Sequence, residues 1–213
     1  MDLLVKLIEL SINFFSMQFG VNQALAIILF TLTARFFLIP ISFKAALDSY
    51  KNKIKQEALK PEIDKLKEEY SENPLEVTKQ TMILYKQTGI KFLGKTTLLN
   101  IVTQGGLGLS LFSALKNISL HAKILWIANI AKPDILLSLA VGILTFLSML
   151  AMPSSAEQSM VMIFIIPAII SCIVLSFSPA AIGIYWATSS IVTMMQNLAL
   201  RVWVNKNNSF SIL

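Results

Sequence analysis

Apolar residues gather along this chain into long runs that are separated by shorter polar stretches. Five of these runs are long enough to cross a membrane as helices, because about 20 apolar residues span the hydrocarbon core. The runs cover roughly residues 21–43, 96–116, 134–152, 159–177 and 180–203. The pattern therefore predicts an all-α membrane protein with five transmembrane helices.

The stretches outside these runs complete the predicted domain order. Residues 1–20 place polar side chains three or four positions apart among apolar ones, which predicts an amphipathic helix in the extracytoplasmic interface. A poorly formed extra span is the alternative for this segment. Residues 21–43 form the first span, residues 44–95 a cytoplasmic hairpin of two helices, residues 96–203 spans two to five, and residues 204–213 a short cytoplasmic tail.

Local signals support the hairpin in residues 44–95. Asn73 is a good N-cap, and Pro74 suits the first position of the second helix. Gly89 predicts the end of that helix, and Pro61 predicts a start or a kink in the first arm.

Charge changes this picture by giving it an orientation. Charged residues make up 14% of the chain, well below the ~25% of soluble domains, so the net charge of +6 is interpreted as a topology signal. Eleven of the 18 Lys and Arg residues lie in residues 44–95. Because positive residues concentrate in cytoplasmic loops, the N-terminus is predicted outside and the C-terminus inside.

Few residue types that perform chemistry are present. Cys172 is the only cysteine and His121 the only histidine, which excludes a disulfide framework and a histidine-based metal cluster. No nucleotide-binding pattern follows a predicted strand, and no paired carboxylates lie in the spans, which argues against proton-driven transport. We expect no cofactor, no metal, no direct reading of nucleic acid and no enzymatic activity.

Arg35 is the most informative single residue. It lies within the uncharged run 21–43, and Lys44 marks the polar end of that run. At ~1.5 Å per residue, Arg35 is rooted ~13 Å from Lys44, near the middle of the membrane. Placing a cation there costs ~2.5–3.5 kcal/mol, which favours a water-filled cavity, a polar ligand or both. An arginine that extends to the interface is the alternative.

Polar side chains repeat at helical spacing in three of the predicted spans, and in each span they share one face. These stripes predict a hydrophilic cavity open to the cytoplasm. Hydrogen bonding between helices is the competing interpretation for the uncharged groups. The stripes are Tyr185, Ser189, Thr193 and Gln196 in the last span, Thr31, Arg35 and Ser42 in the first, and Thr97, Asn100, Thr103 and Gln104 in the second.

Taken together, these segments resemble the YidC/Oxa/Albino family of membrane protein insertases over residues 10–203. The run LTARFFLIPISFK resembles the arginine-bearing segment of the family, with Arg35 in the arginine position. The run SPAAIGIYWATSSIVTMMQN resembles its last span, with Tyr185, Trp186 and Gln196 in family positions. Two departures are Gln104 in the second span and Ser190, which stands where the family usually has asparagine.

The resemblance implies an insertase or chaperone that passes client segments through an arginine-bearing groove into the bilayer. Its expected partners are nascent membrane proteins and lipid, and a ribosome, targeting machinery or a Sec translocon stays open. A bacterial inner membrane is favoured over an organellar one. The expected groove residues are Arg35, Thr31, Asn100, Gln104, Tyr185, Trp186, Ser189, Thr193 and Gln196.

Two other functions stay open at this point. A small polytopic transporter or channel would also need a polar cavity and a buried charge. An assembly factor without a groove would pair Arg35 with a partner subunit. The transporter requires cavity residues that become accessible from both sides of the membrane, which distinguishes it from the insertase.

Overall fold

The computed structural model describes residues 2–90, 94–118, 120–153 and 161–210, and this part of the chain is all-α with no named strand. Eight helices follow one another. They are α1 (Asp2–Phe19), α2 (Gln23–Ala58), α3 (Lys60–Glu69), α4 (Pro74–Gln87), α5 (Lys95–Asn117), α6 (Ile135–Leu150), α7 (Val161–Ser176) and α8 (Ala180–Phe210).

Short polar side chains start three of these helices. Asn22, Asn73 and Asp134 precede α2, α4 and α6, and each side-chain oxygen accepts a hydrogen bond from the backbone amide three residues later. These bonds satisfy amides that have no partner inside the helix. Gly20 and Gly89, which follow α1 and α4, have positive φ angles of 60° and 69°, a conformation that glycine adopts without strain.

Helix α2 is longer than the first predicted span. It continues for 36 residues, past Phe43, where the apolar run ends, as far as Ala58. The residues after Phe43 include neither glycine nor proline before Pro61, so no local signal stops the helix at the polar boundary. Pro61 lies in the first turn of α3, which packs against α4.

Membrane-crossing character differs among the described helices. By length and composition, α2 and residues Lys95–Leu115 of α5 are long and apolar enough to cross a membrane. Ile135–Leu150 and Ile165–Ser176 are apolar but shorter. Helix α8 has 31 residues, and its polar side chains lower its mean hydropathy.

The helices pack in two groups that meet along α2 and α8. Helices α1, α2 and α5 contact one another, and α6 packs against both α7 and α8. Buried apolar side chains concentrate at one end of the bundle, which holds the N-termini of α2, α6 and α8. This packed end includes Ile27 of α2, Leu111 of α5, Val141 of α6 and Ile184 of α8.

Glycines allow α6 to approach its neighbours closely. A Cβ atom added at Gly142 would overlap Cys172 Sγ and lie 3.2 Å from the carbonyl oxygen of Ala168, both on α7. A Cβ atom added at Gly183 of α8 would lie 2.6 Å from Leu137 Cδ2 on α6. A larger side chain at Gly142 would therefore push α6 and α7 apart, and one at Gly183 would force the side chain of Leu137 to shift.

Candidate functional site

A cavity of about 680 Å³ lies next to the packed end of the bundle and is bordered by α2, α5 and α8, with residues from the C-terminal part of α7 and just beyond it. Its lining combines one cation with amide, hydroxyl, aromatic and aliphatic groups. The lining residues are Arg35, Gln104, Gly105, Gly108, Leu109, Phe112, Val174, Ser178, Ile182, Tyr185, Trp186, Ser189, Ser190 and Thr193.

Arg35 is held in the cavity by side chains from two other helices. Its Nε donates a hydrogen bond of 3.2 Å to Ser189 Oγ on α8, and its Nη1 donates one of 2.8 Å to Gln104 Oε1 on α5. Gln104 Nε2 in turn donates to Asn100 Oδ1 at 2.6 Å. Only 8% of Arg35 is exposed, so this series of hydrogen bonds fixes a buried guanidinium in one orientation.

The charge of Arg35 is not neutralised by either of these acceptors, because Gln104 and Ser189 are uncharged. The sequences of α5, α6, α7 and α8 contain neither Asp nor Glu. A buried cation in such surroundings attracts water and anionic groups strongly, since the low local dielectric weakens screening. The cavity is therefore electropositive at Arg35.

Tyr185 completes the wall beside Arg35. Its ring packs toward Gly108 of α5, where an added Cβ would lie 3.7 Å from both Tyr185 Cε1 and the hydroxyl oxygen. About two turns farther along α8, the hydroxyl of Thr193 donates to the backbone carbonyl of Ser189 at 2.9 Å. The hydroxyl proton of Thr193 is therefore engaged within α8 and is not available to a group in the cavity.

Farther from the packed end, α2 and α8 are joined by a pair of side chains. Ser42 Oγ and Gln196 Oε1 are 3.3 Å apart, and Gln196 Nε2 approaches Ser42 Oγ at 3.0 Å. Helix α5 is tied to α2 in the same region, because Thr96 Oγ1 donates to Asp48 Oδ2 at 2.5 Å. These bonds hold the three helices around the side of the cavity that lies away from the packed end.

The structure brings most of the predicted groove residues together. Six of them line the cavity: Arg35, Gln104, Tyr185, Trp186, Ser189 and Thr193. Asn100 joins the group through Gln104, whereas Gln196 bonds to Ser42 of α2, outside the residues that line the cavity. Thr31 is separate, since it is fully buried and its hydroxyl donates to the carbonyl of Ile27 at 2.6 Å.

Sequence reasoning missed several lining residues. Those on α5 lie on the same helical face as Gln104, so helical spacing could have identified them. They were missed because they are not polar. Val174 and Ser178 carry no such signal. The missed residues are Gly105, Gly108, Leu109, Phe112, Val174, Ser178, Ile182 and Ser190, the last noted in the sequence only as a departure from the family.

A second polar cluster lies where α8 packs on α6. Asn197 Nδ2 donates to the carbonyl oxygen of Ser148 at 2.7 Å, and Thr145 Oγ1 lies 3.5 Å from Ser190 Oγ. Ser148 Oγ donates to the carbonyl of Thr145 at 2.7 Å. All four side chains are buried and join α6 to α8, and Ser190 also borders the cavity.

In the part of the chain that the structure describes, no group of three or more His, Cys, Asp or Glu side chains is placed to hold a metal ion. The site is thus an electropositive, amphipathic cavity inside a bundle of apolar helices.

A family model described as "60Kd inner membrane protein" matches residues 14–207.

The chain belongs to this family.

Relatives within the family are bacterial. The membrane protein insertase YidC of Staphylococcus carnosus (strain TM300) is 28% identical over 217 residues, which cover 95% of this chain and 75% of the relative. Membrane protein insertase YidC 2 of Bacillus anthracis is 31% identical, over 87% of this chain and 74% of the relative. The YidC insertase of Laribacter hongkongensis (strain HLHK9) is 32% identical, and there the match covers 33% of the relative.

Proposed function

We propose that this protein is a membrane protein insertase that receives client segments in the cavity around Arg35 and releases them into the bilayer. The family match and the names of the bacterial relatives support the insertase activity. The burial of Arg35 between neutral acceptors is the observation that carries the role of the cavity. The proposed client-contacting residues are Arg35, Asn100, Gln104, Tyr185, Trp186, Ser189, Thr193 and Gln196, with Thr31 supporting the wall from within the packed region.

The proposed topology has five spans, formed by α2, α5, α6, α7 and α8, in a bacterial inner membrane. Helix α1 lies in the outer interface, and the α3–α4 hairpin and the C-terminal tail lie in the cytoplasm. The concentration of Lys and Arg in residues 44–95 supports this orientation. The packed end of the bundle is then the outer end, and the cavity opens on the cytoplasmic side.

The physical role of the cavity follows from the cost of moving polar groups into hydrocarbon. A polar client segment that leaves water without new partners loses several kcal/mol per unsatisfied group. The hydroxyl and amide groups beside Arg35 reduce this cost, and Arg35 attracts client carboxylates. Burial of the apolar client segment in lipid then drives the step, so no chemical reaction is needed.

The structure also supports a lateral exit. Helix α5 packs on α1 and α2, and its contact with α8 is far smaller. Exposed apolar side chains on α5, among them Leu109, and on α7, such as Val174, flank this side of the cavity. A client helix leaving between α5 and α7 would meet apolar surface on both sides.

The decisive experiment measures insertion of a single-span client into vesicles that contain the purified protein. We expect Arg35→Ala to reduce insertion of a client with an acidic translocated segment by about tenfold, equivalent to ~1.4 kcal/mol. A client with a neutral segment should be affected less. Arg35→Lys should retain part of the activity, since the charge matters more than the shape of the guanidinium.

Arg201→Ala is the matched control, because Arg201 is an exposed arginine on α8. It should leave insertion of both clients unchanged. Equal insertion of the acidic client by wild type and Arg35→Ala would refute the proposed role of Arg35. Transport of a small solute together with normal client insertion by Arg35→Ala would favour the transporter.

A further inference from the structure

The segment between α5 and α6 carries a feature that the groove does not use. Ile124 and Ile127 exchange backbone hydrogen bonds of 3.0 and 2.8 Å, which closes a two-residue turn with Leu125 and Trp126 at its tip. Both tip side chains point outward, since 86% of Leu125 and 51% of Trp126 are exposed. An apolar pair is therefore presented at the packed end of the bundle.

The backbone of this tip is strained at Leu125. Leu125 has φ 52°, the only positive φ of a non-glycine residue in the described chain. A positive φ at the first central position alone is the pattern of a type II′ turn, which ordinarily has glycine there. A bulky residue in this conformation persists only where its surroundings enforce it, and such positions concentrate at functional sites.

The surroundings of the tip do enforce it. Trp126 Nε1 donates to Asp134 Oδ1 at 3.2 Å, and the same oxygen caps α6. The amides of Ala180 and Ala181, in the first turn of α8, donate to the carbonyls of Lys132 and Ile130 at 2.9 Å. Trp126 is thus bonded to the start of α6, and the segment that follows the tip is bonded to the first turn of α8.

Further bonds attach the segment to the start of α2. Asn22 Nδ2 donates to the carbonyl of Lys123 at 3.1 Å, and the amide of His121 donates to Gln23 Oε1 at 3.0 Å. Because three helix ends are joined through one short segment, whatever holds the tip also holds these ends. The attachment explains how a local turn can position the whole packed end.

The chemistry of the tip identifies its partner. Tryptophan with an engaged N–H and an apolar ring suits the zone between headgroups and acyl chains. Lys123 and Lys132 lie on either side of the tip in the sequence and are exposed, and their positive charge suits anionic lipid phosphates. The exposed face of α6, with Ile135 and Leu139, continues the apolar surface directly from Asp134.

We propose that the Leu125–Trp126 tip is a membrane anchor that inserts between phospholipid headgroups and so fixes the depth of α2, α6 and α8. Under the topology proposed above, the lipids belong to the outer leaflet. The anchor does not depend on insertase activity, because its contacts are made with lipid and not with a client.

The test uses the full chain in vesicles of phosphatidylcholine and phosphatidylglycerol, with the phosphatidylcholine brominated near the start of its acyl chains. The difference in fluorescence between wild type and Trp126→Phe isolates Trp126 from the other two tryptophans. We expect brominated lipid to quench this difference signal strongly and aqueous iodide to quench it weakly. Strong iodide quenching without lipid quenching would overturn the proposal and leave the tip free for a protein partner.

Leu125→Gly separates anchoring from backbone strain. Glycine tolerates the positive φ, so Tm should be equal or higher, while lipid quenching of Trp126 should fall by at least half if Leu125 anchors the tip. Leu75→Ala, at an equally exposed leucine of the hairpin, should leave the quenching unchanged. Unchanged quenching in Leu125→Gly would show that Leu125 does not anchor, whatever the insertion assay reports.

Discussion

Helix α8 presents polar side chains to two neighbours, and the two faces meet opposite surroundings. Ser189 and Thr193 face a cavity that also contains Arg35. Asn197 faces α6, where it is buried against the carbonyl of Ser148. Polar side chains at helical spacing therefore do not identify a site by themselves; the cavity and the unneutralised charge distinguish one face from the other.

The face toward α6 has a clear structural role. The carbonyl of Ser148 is one of the last four of α6, which lack amide partners within the helix. Those of Leu147 and Met149 accept from the amides of Ala151 and Met152, while that of Ser148 accepts from Asn197. Asn197 thus completes the end of a neighbouring helix, and this polarity contributes to stability.

Cysteine labelling gives the largest expected difference between the two faces. In a Cys172→Ala background, Gln196→Cys should react with a water-soluble maleimide roughly a hundred times faster than Asn197→Cys, a difference of ~2.7 kcal/mol in local opening. The adjacent positions are matched controls for each other. We expect labelling of positions 100, 189 and 196 from the cytoplasmic side only.

Other outcomes of the labelling would change the interpretation. Similar rates at 196 and 197 would show that the two faces do not differ in water access. Reaction from both sides of the membrane would favour the transporter, and no reaction at 100, 189 or 196 would mean that these groups only join helices.

Free energies of unfolding should also differ between the two faces of α8, although by less than the labelling rates. Asn197→Leu should lower the free energy of unfolding by about 1–3 kcal/mol, because it leaves a buried carbonyl without a partner. Gln196→Leu should cost less than ~1 kcal/mol, since Gln196 is only partly buried and water can replace its bond to Ser42. Denaturation of both variants in detergent checks the order, and a reversed order would contradict it.

Alanine substitutions at two glycines compare a closely packed position with a position that has open space around it. Gly142→Ala should destabilise by about 1–3 kcal/mol, because the added methyl group overlaps Cys172 and α6 must move from α7. Gly106→Ala has nothing within 4 Å of the added atom and should stabilise α5 by ~0.5–1 kcal/mol. Thermal unfolding distinguishes them by opposite shifts in Tm.

The hairpin extends the comparison to polar groups in water, where effects should be smallest. The hydrogen bond from Gln80 lowers the pKa of Glu76, and the bond from Lys67 lowers the pKa of Asp64. A folded-state pKa below the unfolded value stabilises the hairpin above the unfolded pKa, near 4. This stabilisation is lost as the pH falls through the folded pKa.

We therefore expect residues 74–87 to lose hydrogen-exchange protection below about pH 4, after correction for intrinsic exchange rates. Helix α8 contains no carboxylate, so its protection should be insensitive over the same range. Glu76→Gln should remove part of the pH dependence in α4. Equal acid sensitivity in α4 and α8 would contradict this account.

Much of the fold could be predicted because its signals are local. Apolar runs mark the helices that carry the cavity, and the Asn73-Pro74 pair marks the start of α4. The end of α2 could not be predicted, since nothing in the sequence interrupts helix formation at Phe43. Helical spacing also groups Thr31 with Arg35, but only the neighbouring helices decide that Thr31 is packed and Arg35 faces the cavity.

The contribution of α7 had no signal at all. Val174 in α7 and Ser178 just beyond it line the cavity through the packing of distant segments, and α7 itself packs closely on α6 at Gly142. The hydrogen-bonded chain from Arg35 to Asn100 likewise depends on the register of α5 against α2. Such registers are set by packing, so periodicity in one helix does not reveal them.

The uninterrupted length of α2 makes this helix a lever with unequal arms. Its longer arm, from Arg35 to Ala58, measures ~35 Å at ~1.5 Å per residue, and α3 and α4 follow its far end. Pro40 removes one backbone hydrogen bond within this arm, so bending is concentrated there, close to Arg35. A load on α3 and α4 would therefore swing the long arm about Pro40 once the bonds between Ser42 and Gln196 and between Asp48 and Thr96 are released, while the guanidinium stays fixed.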